Sequence, residues 1–324
     1  MAINIPLVLV PAAAATGSGL ILDLPAKAQQ MLETTVEKEA VGHWLLGADN
    51  PTHADLVARQ SLRRFKIVSI NNGGAGYTSA PNVAFTAPGM TGIAVLNGGA
   101  VSAVFITNHG DDDTVGTVSF AGGGGAGAAG TVYIAGAPTL AAGSLALASS
   151  IGALPNGLLS PIALTTNQTI AAVFRRPGAD NRSVFGRWSN RPIGPASDHG
   201  MLFGRIGATY QASSHITANP YYSIQAVAPP GNSGDWVFGA VTHTPDKRTV
   251  FWGGGNTYSA AVALTLPEPA SQRGIVVGAA DVTYSGGIEI AELIVINRAV
   301  GAAELGMIYN RSKKRMAARG IVTV

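Results

Sequence analysis

The sequence predicts an all-β protein that ends in one helix, and three observations lead to this prediction. Glycine supplies 42 of the 324 residues and charged residues only 12%, a composition that suits many short strands and turns rather than helical bundles. Short segments rich in β-branched and aromatic residues recur between turns that contain Gly and Pro. The stretch 285–321 joins a strand pattern to a helix pattern.

The C-terminal stretch is predicted as a strand over residues 288–296 and a helix over residues 302–318. Gly301 is a weak N-cap, and Gly320 follows as a natural stop. The cationic run 311–315 is predicted to form the solvated face of the helix. The opposite, apolar face has four residues near helical spacing: Leu305, Ile308, Tyr309 and Met316.

The segment GGIEIAELIVINRAVGAAELGMIYNRSKKRMAARGI, residues 286–321, resembles the closing strand and helix of concanavalin A-like jelly rolls of the laminin-G/pentraxin type, which occur in bacteriophage tail proteins. Residues 43–62 resemble the first part of domains of the same family, and the resemblance resumes after Pro138. The resemblance implies an antiparallel β-sandwich (jelly roll) built from residues 43–65 and 139–324.

Residues 236–252 are predicted as a strand pair within this sandwich. Four apolar residues at alternating positions are expected to face one way into the core: Trp236, Phe238, Val250 and Trp252.

Residues 66–138 are predicted as a small β-repeat domain inserted in a loop of the sandwich, because they contain an internal duplication. The segment VSINNGGAGYTSAPNVAF is followed 36 residues later by VFITNHGDDDTVGTVSF, which aligns Ile70 with Ile106 and Asn72 with Asn108. The first copy resembles the "GYTSAP" modules of phage tail fibres. The Gly-rich run 121–130 is predicted as a flexible connection between strands.

Residues 1–42 are predicted as an extended, apolar attachment arm with a short helix over residues 26–40. An apolar edge of this kind is a liability when it is left free, so we expect residues 1–40 to be buried against other virion proteins. Analogy with phage fibres suggests a homotrimer. The arm lacks the basic region of a signal peptide.

Charge and composition exclude several classes of function. The net charge is +3, and no basic stripe appears outside residues 311–315, so we predict no nucleic-acid partner. The chain has no Cys, which excludes disulfides and thiolate metal sites and fits synthesis in a reducing cytoplasm. No apolar run reaches the roughly 20 residues that span a bilayer, so no membrane insertion is predicted.

Catalysis is not predicted either. Glu289 and Glu292 are three residues apart on a strand, so their side chains should point to opposite faces and cannot form a glycosidase pair. No HExxH, GK[ST] or G-x-S-x-G motif occurs in the sequence. We therefore predict that the protein is not an enzyme and has no organic cofactor.

Five residues are candidates for sugar binding, which needs a planar aromatic ring beside polar side chains. Trp188 is the first, flanked by Arg187 and Asn190, and Tyr210 and Tyr222 follow. The alternative for Trp188 is a role in the core.

Asp111, Asp112 and Asp113 form a carboxylate cluster that could hold Ca²⁺, a cation that takes six to eight oxygen ligands. The alternative is a solvated turn, because the spacing lacks the alternating ligands of a known calcium loop.

The resemblance implies a structural protein of a phage virion, made in the host cytoplasm. It would be a short tail fibre, a tailspike-like protein or a head or collar decoration subunit, which docks by its N-terminal arm and displays a lectin-like sandwich to a host-surface polysaccharide. The alternatives are a stand-alone carbohydrate-binding module and a polysaccharide depolymerase. The virion location and the sugar stay open at this point.

Overall fold

A computed structural model describes most of the inserted segment and most of the sandwich. The described residues are 37, 39–50, 56–57, 61–110, 112–134, 138–147, 156–175, 182–187, 200–206, 209–215, 222–226, 229–253, 257–261, 274–278 and 286–324.

The described elements are 21 strands followed by one helix. In chain order they are β1 (Gly42–Leu45), β2 (Arg63–Arg64), β3 (Lys66–Ala75), β4 (Asn82–Phe85), β5 (Met90–Asn97), β6 (Ala100–His109), β7 (Val118–Ala121), β8 (Ala126–Ile134), β9 (Thr139–Ala141), β10 (Ser144–Leu147), β11 (Gly157–Ala163), β12 (Gln168–Arg175), β13 (Arg182–Arg187), β14 (Gly200–Ile206), β15 (Thr209–His215), β16 (Tyr222–Ala226), β17 (Trp236–His243), β18 (Lys247–Trp252), β19 (Thr257–Ala261), β20 (Gly274–Gly278), β21 (Ile288–Ile296) and α1 (Ala302–Ala318).

Two antiparallel sheets form a sandwich. The eight-stranded sheet has the order β19-β18-β17-β12-β21-β10-β9, with β1 also paired to β21. The seven-stranded sheet has the order β16-β15-β14-β13-β20-β11-β2. This architecture confirms the predicted fold class, an all-β antiparallel sandwich with one C-terminal helix.

An aromatic cluster joins the two sheets in the interior of the sandwich. Phe174 and Trp252 come from the eight-stranded sheet, and Phe185, Phe203 and Tyr210 come from the seven-stranded sheet. The ring centroids of Phe203 and Trp252 are 5.4 Å apart, and those of Tyr210 and Trp252 are 5.2 Å apart at 87°. Rings at these separations and tilts add favourable quadrupole contacts to their burial.

Helix α1 covers the outer face of the eight-stranded sheet. The predicted apolar face is confirmed, because Leu305, Ile308, Tyr309 and Met316 are all buried in the cluster between helix and sheet. Gly301 is the N-cap, as predicted, and it offers no side chain for capping. At the other end, the predicted stop at Gly320 has φ +75°, a conformation that favours glycine.

The strand pair β17–β18 corrects one prediction. Val250 and Trp252 face the interior of the sandwich, but Phe238 faces α1, where its ring lies 5.6 Å from that of Tyr309. The reason is the register, in which Trp252 pairs with Gly239 and not with Phe238. Residues paired across antiparallel strands share a face, so Phe238 and Trp236 lie on the other one.

The inserted segment forms three nested antiparallel pairs: β3 with β8, β4 with β7 and β5 with β6. Strands β3, β4 and β5 of the first copy correspond to β6, β7 and β8 of the second. When each strand is replaced by its counterpart, the outer pair β3–β8 becomes the inner pair β6–β5, and the pair β4–β7 becomes itself. The pairing therefore has the internal twofold symmetry that the duplication in the sequence predicts.

The aligned asparagines have the same local structure in both copies. The Oδ1 of Asn72 accepts a hydrogen bond from the backbone N–H of Gly74 at 2.9 Å, and that of Asn108 accepts one from Gly110 at 3.0 Å. Both glycines have positive φ, +65° and +73°. Each copy thus has the same side-chain turn in the last part of its first strand or directly after it, which is why these residues match in the sequence.

The Gly-rich run 121–130 corrects a second prediction, because it is ordered structure and not a flexible connection. Residues 126–130 belong to β8, and Gly123 accepts a backbone hydrogen bond from Thr78 at 2.9 Å. Tyr77 is buried against this turn, 6% exposed. Glycine is needed here because side chains would meet the backbone of residues 79–81.

The predicted domain boundaries, 1–42, 43–65 with 139–324, and 66–138, stay a prediction. Residues 1–36 of the predicted arm and most of its predicted helix lie outside the described residues. At the end of that predicted helix, Glu39 lies in a turn with φ 66°.

Within the described residues, no helix is long and apolar enough to cross a membrane.

Gly122 and Gly123 provide a matched test of the turn. Both have positive φ, but a Cβ at Gly123 would lie 2.4 Å from the carbonyl oxygen of Ser79, whereas one at Gly122 would meet nothing within 4 Å. Gly122→Ala should cost only the strain of a left-handed alanine, about 1–2 kcal/mol. Gly123→Ala should cost about 1–3 kcal/mol more, because the contact adds overpacking. Hydrogen exchange of the inserted strands measures both, and equal effects would contradict this role for Gly123.

Candidate functional site

A buried polar cluster lies between α1 and the eight-stranded sheet. We call it the clamp cluster, and it consists of Glu37, His43, Glu292, Arg311, Ser312 and Arg315. Glu37 precedes β1, His43 lies on β1, Glu292 lies on β21, and the other three lie on α1. The cluster therefore joins the start of the described chain, the middle of the sheet and the last helix.

A β-bulge places Glu292 in the cluster. Val173 pairs with Glu292 and the next residue, Phe174, pairs with Ile290, so Ala291 is an extra residue in β21. Ile290 and Leu293 face the interior of the sandwich, while Ala291 and Glu292 both face α1. One inserted residue thus puts two consecutive side chains on the same face of the sheet.

The bulge corrects the prediction that Glu289 and Glu292 point to opposite faces. Glu289 lies between Ile288 and Ile290, which face the interior, so it also lies on the outer face. The two carboxylates have separate partners there. Glu289 accepts a hydrogen bond from Arg175 at 3.1 Å, and Glu292 is completely buried beneath α1.

Three donors hold the Glu292 carboxylate. Arg315 Nε lies 2.6 Å from Oε1, His43 Nε2 lies 2.8 Å from the same oxygen, and the Ser312 hydroxyl donates to Oε2. Burial raises the pKa of Glu292, but the charge of Arg315 and the hydrogen bonds from His43 and Ser312 outweigh it and lower the pKa to about 2. Glu292 is therefore a carboxylate across the physiological range.

The hydrogen bonds of His43 define its tautomer. The backbone N–H of Glu37 donates to Nδ1 at 2.9 Å, and an N–H can only donate, so Nδ1 carries no proton. The proton is on Nε2, which donates to Glu292. His43 is thus a neutral relay between the carboxylate and the backbone that leads to residue 37.

Glu37 is buried and accepts hydrogen bonds from two arginines of α1. Arg311 Nε lies 3.1 Å from each of its oxygens, and Arg315 lies 3.4 Å from Oε2. Arg315 is only 4% exposed. This corrects the prediction that the run 311–315 is a solvated face, because two of its cations neutralise buried carboxylates.

An exposed ion-pair group lies beside the clamp cluster. Arg298 contacts Glu39 at 2.6 Å and donates to Glu304, in the first turn of α1. The hydrogen bond from Arg298 lowers the pKa of Glu304, although burial opposes the shift. Pairs this exposed contribute little stability, but they connect residue 39 to the start of the helix.

Sequence analysis missed the clamp cluster, although one signal for it was present. Ser312 and Arg315 lie at helical spacing from Leu305, Ile308 and Met316, within the apolar stripe of α1. Polar residues in such a stripe need buried partners. One partner, Glu292, lies on the preceding strand, 23 residues before Arg315. The second partner of Arg315, Glu37, is 278 residues away, and His43 is 249 residues from Glu292, and neither carries a pattern of its own.

The predicted sugar-binding residues fall into two groups. Trp188 and Asn190 lie outside the described residues, and of Arg187 and Tyr222 only the backbone is described, in β13 and β16. For these four the assignment stays a prediction. Tyr210 is a correction, because its ring is 2% exposed and packs between Phe174 and Trp252, so no face is open to a sugar.

The predicted calcium cluster is partly described. Asp112 lies 3.5 Å from Lys66, and Asp113 lies 3.4 Å from Arg64, so lysine and arginine already neutralise both carboxylates. Hydrogen bonds from Thr114 lower the pKa of Asp112. Asp111 lies outside the described residues. Among the residues that the structure describes, no three His, Asp or Glu side chains are grouped to hold a metal ion.

The described chemistry is that of a closed structural site. Ser312 donates to a carboxylate and His43 contacts the same carboxylate, so the histidine is not placed to activate the hydroxyl. His43, Glu292 and Ser312 are all 0% exposed. The arrangement can hold the N-terminal segment and α1 on the sheet.

Comparisons with known proteins find only distant likeness in fold. No protein-family model matches the chain, and no curated protein matches it. Solved structures do match. One is the receptor-binding domain of botulinum neurotoxin type G, with a TM-score of 0.40 and 11% identity over 52% of this chain and 42% of that one.

Two further structures have similar values. The serotype D ligand-binding domain, solved in complex with N-acetylneuraminic acid, has a TM-score of 0.36 and 11% identity over 52% of this chain and 42% of that one. The binding domain of Paraclostridial Mosquitocidal Protein 1 has a TM-score of 0.38 and 11% identity, over 52% and 43%. This chain thus covers less than half of each structure. Likeness at this level carries no function from those proteins to this one.

Glu292→Gln tests the clamp cluster against Glu289→Gln on the same strand. Removing the charge of Glu292 leaves the buried Arg315 only its longer contact with Glu37, at 3.4 Å, which should lower the free energy of unfolding by about 3–5 kcal/mol. Glu289 and Arg175 are 35% and 50% exposed, so the control should cost less than about 1 kcal/mol. Urea unfolding measures both, and similar midpoints for the two variants would contradict the role of Glu292.

The lowered pKa of Glu292 predicts that the stability difference between the wild type and Glu292→Gln depends on pH. The folded pKa of Glu292 is about 2, below its ordinary value of 4.5, so its contribution is complete above pH 4.5 and is lost as the pH falls towards 2. The difference in unfolding free energy between the wild type and Glu292→Gln should therefore shrink over this window. Urea titrations at several pH values measure it, and a difference that stays constant from pH 5 to pH 2 would refute the assignment.

Proposed function

We propose that this protein is a structural subunit of a bacteriophage virion, made in the host cytoplasm and incorporated into the particle. It would be a short tail fibre, a tailspike-like protein or a head or collar decoration subunit. In this proposal residues 1–36 of the predicted docking region 1–40 dock on other virion proteins, because Glu37 and Ala40 are buried in this chain itself. The subunits form a homotrimer, and the sandwich and its insertion face outwards towards a host-surface polysaccharide.

The observation that carries the proposal is the attachment of the N-terminal segment. Glu37 is 2% exposed and bound by Arg311 and Arg315, so the residue that follows the proposed arm is fixed under α1. Residues 1–25 are mostly apolar, with the segments INIPLVLV and LILDLP. A fixed residue that is preceded in the chain by an apolar segment suits a docking arm, because force on the arm is transmitted to the helix and the sheet.

The insertion supports the outward display. Its first and last strands pair through Lys66 and Ile134, so the segment leaves and re-enters the sandwich at one place. A loop closed in this way can carry a folded unit at little cost to the scaffold. The resemblance of its first copy to tail-fibre modules motivates the assignment to a fibre or decoration protein.

Carbohydrate binding is the second part of the proposal, and it rests on Trp188 with its neighbours Arg187 and Asn190. An aromatic ring next to a guanidinium and an amide provides stacking and fork-shaped donors for sugar hydroxyls. Tyr210 is no longer part of this set, since it lies in the core.

Light scattering of the intact chain and of a variant without residues 1–36 tests the docking arm. The intact chain should have the mass of a trimer, and the shortened variant that of a folded monomer, because Glu37 and the clamp cluster remain. Removal of residues 66–134 is the control, and it should leave the trimer intact. A monomeric intact chain, or a shortened variant that stays trimeric, would contradict the role of the arm.

A glycan array with the same proteins separates the alternatives. Binding by both the intact and the shortened chain, lost in Trp188→Ala but kept in Tyr133→Ala, supports display of a glycan-binding surface. Binding without assembly favours a stand-alone carbohydrate-binding module. Shortening of the polysaccharide during incubation favours a depolymerase and would refute a purely structural role.

A further inference from the structure

A second cluster of buried polar side chains lies inside the sandwich, at one end of the eight-stranded sheet. Gln168 of β12 pairs with His243 of β17, and His243 pairs with Arg248 of β18. The three side chains follow one another across neighbouring strands, and they are 0%, 0% and 1% exposed. We call them the polar row.

The polar row faces the interior and not α1. Two residues further along the same three strands are Ile170, Val241 and Val250, all of which belong to the interior core. Side chains two apart on a strand share a face, so the row continues this layer of the core with polar groups. A polar layer inside an apolar core is costly unless each group is satisfied.

Gln168 is satisfied. Its Nε2 donates to the carbonyl oxygen of Ala163 and to Oδ1 of Asn297, each at 2.9 Å, and its Oε1 accepts from the backbone N–H of Thr165 at 3.4 Å. This member of the row closes the sheet end and has no capacity left for a ligand.

His243 is satisfied on one nitrogen only. Its Nε2 contacts the carbonyl oxygen of Thr165, and a carbonyl can only accept, so the proton is on Nε2. Burial, together with the charge of Arg248, lowers the pKa of His243 to about 3, so the ring is neutral. The buried Nδ1 is then an acceptor, and it has no hydrogen-bond partner within the described structure.

Arg248 has unsatisfied donors next to this acceptor. Its Nε and Nη1 are buried without a hydrogen-bond partner, and no carboxylate of the described residues forms an ion pair with it. Burial lowers its pKa to about 10, which still leaves the guanidinium charged at neutral pH. A buried, unpaired charge is strongly unfavourable, so the position favours an anion.

We propose that the polar row is a binding site for a small oxyanion that also carries a hydroxyl group, such as hydrogenphosphate or a hydroxycarboxylate. The guanidinium of Arg248 binds two oxygens of the anion, as guanidinium groups bind carboxylate and phosphate. The hydroxyl of the anion donates to Nδ1 of His243. The site adds a ligand to the protein and does not depend on the virion role or on the sugar-binding residues.

The exposed β17–β18 turn is the part of the surface next to the site in sequence, and its opening would admit solvent. Pro245, Asp246 and Lys247 are exposed, and Arg248 and His243 are the first buried residues on either side of it apart from the half-buried Thr244. The turn is closed by hydrogen bonds of Thr244 with Asp246 and Lys247. Local opening of a short hairpin end is a low-cost motion, so a small anion can enter without unfolding of the sandwich.

Thermal unfolding and isothermal titration calorimetry of the full chain test the proposal with four anions at constant ionic strength. Phosphate is compared with sulfate, and glycolate with acetate, because only the first of each pair carries a hydroxyl at pH 7. Phosphate and glycolate should each bind about tenfold more tightly than their partners, since the extra hydrogen bond satisfies Nδ1 of His243. The phosphate and glycolate arms distinguish the two sources of the oxyanion.

Arg248→Met and Lys247→Met are the matched variants. Arg248→Met keeps the unbranched stem as far as about the position of Nε and removes the buried charge, so it should fold, be at least as stable as the wild type without anion, and lose the anion-dependent shift. Lys247→Met lies on the exposed turn and should keep the shift. His243→Phe should abolish the preference for phosphate over sulfate.

Three results would overturn the proposal. The first is no titration heat with any anion up to millimolar concentration. The second is an equal rise in melting temperature in the wild type and in Arg248→Met, which is the general salting-out effect of such anions. The third is strong destabilisation by Arg248→Met without any anion, which would mean that a carboxylate of the chain itself already pairs with Arg248.

Discussion

The contact between Glu292 and Arg315 is the interaction on which the arrangement of this chain depends. It joins the central strand β21 to α1, and both ions are almost completely buried. Without the bulge at Ala291, strand alternation would not place Ala291 and Glu292 together against the helix. The position of α1, and with it the cover of the outer face of the eight-stranded sheet, therefore follows from one extra residue in a strand.

The clamp cluster also links distant parts of the chain. Its carboxylates, Glu37 and Glu292, are matched by the guanidinium groups of Arg311 and Arg315, and neutral His43 spans them. A buried group of balanced charge specifies its partners more strictly than an apolar contact does, because each polar atom left unpaired is costly. Glu37 is thereby held at a defined position under α1.

The polar row shows the contrasting case. Glu292 has three donors and Arg315 has two carboxylates, whereas the guanidinium of Arg248 has no carboxylate among the described residues. The two buried arginines differ in this respect although both lie against the eight-stranded sheet. A protein that fully satisfies one buried charge and leaves another open is expected to use the open one for a ligand.

The insertion has a hydrophobic core that is separate from that of the sandwich. Its core is formed by its own strands, around Val68, Val104, Ile106 and Val132. Near its base, the backbone N–H of Lys66 donates to Nδ1 of His109 at 3.0 Å, and the ring of His109 lies 6.2 Å from that of Phe65. Phe65 in turn packs with Val276 of the sandwich. Contacts at Phe65 thus link the described base of the insertion to the sandwich, while the twofold pairing of the strands is complete within the insertion.

The sequence by itself determined the fold class, the last strand and helix, and the duplication. These features are local: the apolar stripe of Leu305, Ile308 and Met316 has the period of a helix, and the Asn–Gly turns of the two copies repeat at a constant spacing. Tertiary structure decided which face each side chain occupies. The bulge at Ala291 places Glu289 and Glu292 on the same face of the sheet, although strand alternation predicts opposite faces. The β17–β18 register directs Phe238 towards α1. The clamp cluster and the polar row arose only on folding. The clamp cluster combines residues of β1, β21, α1 and position 37, and the polar row combines residues paired across three strands. Register and bulges depend on contacts between residues that are far apart in the chain.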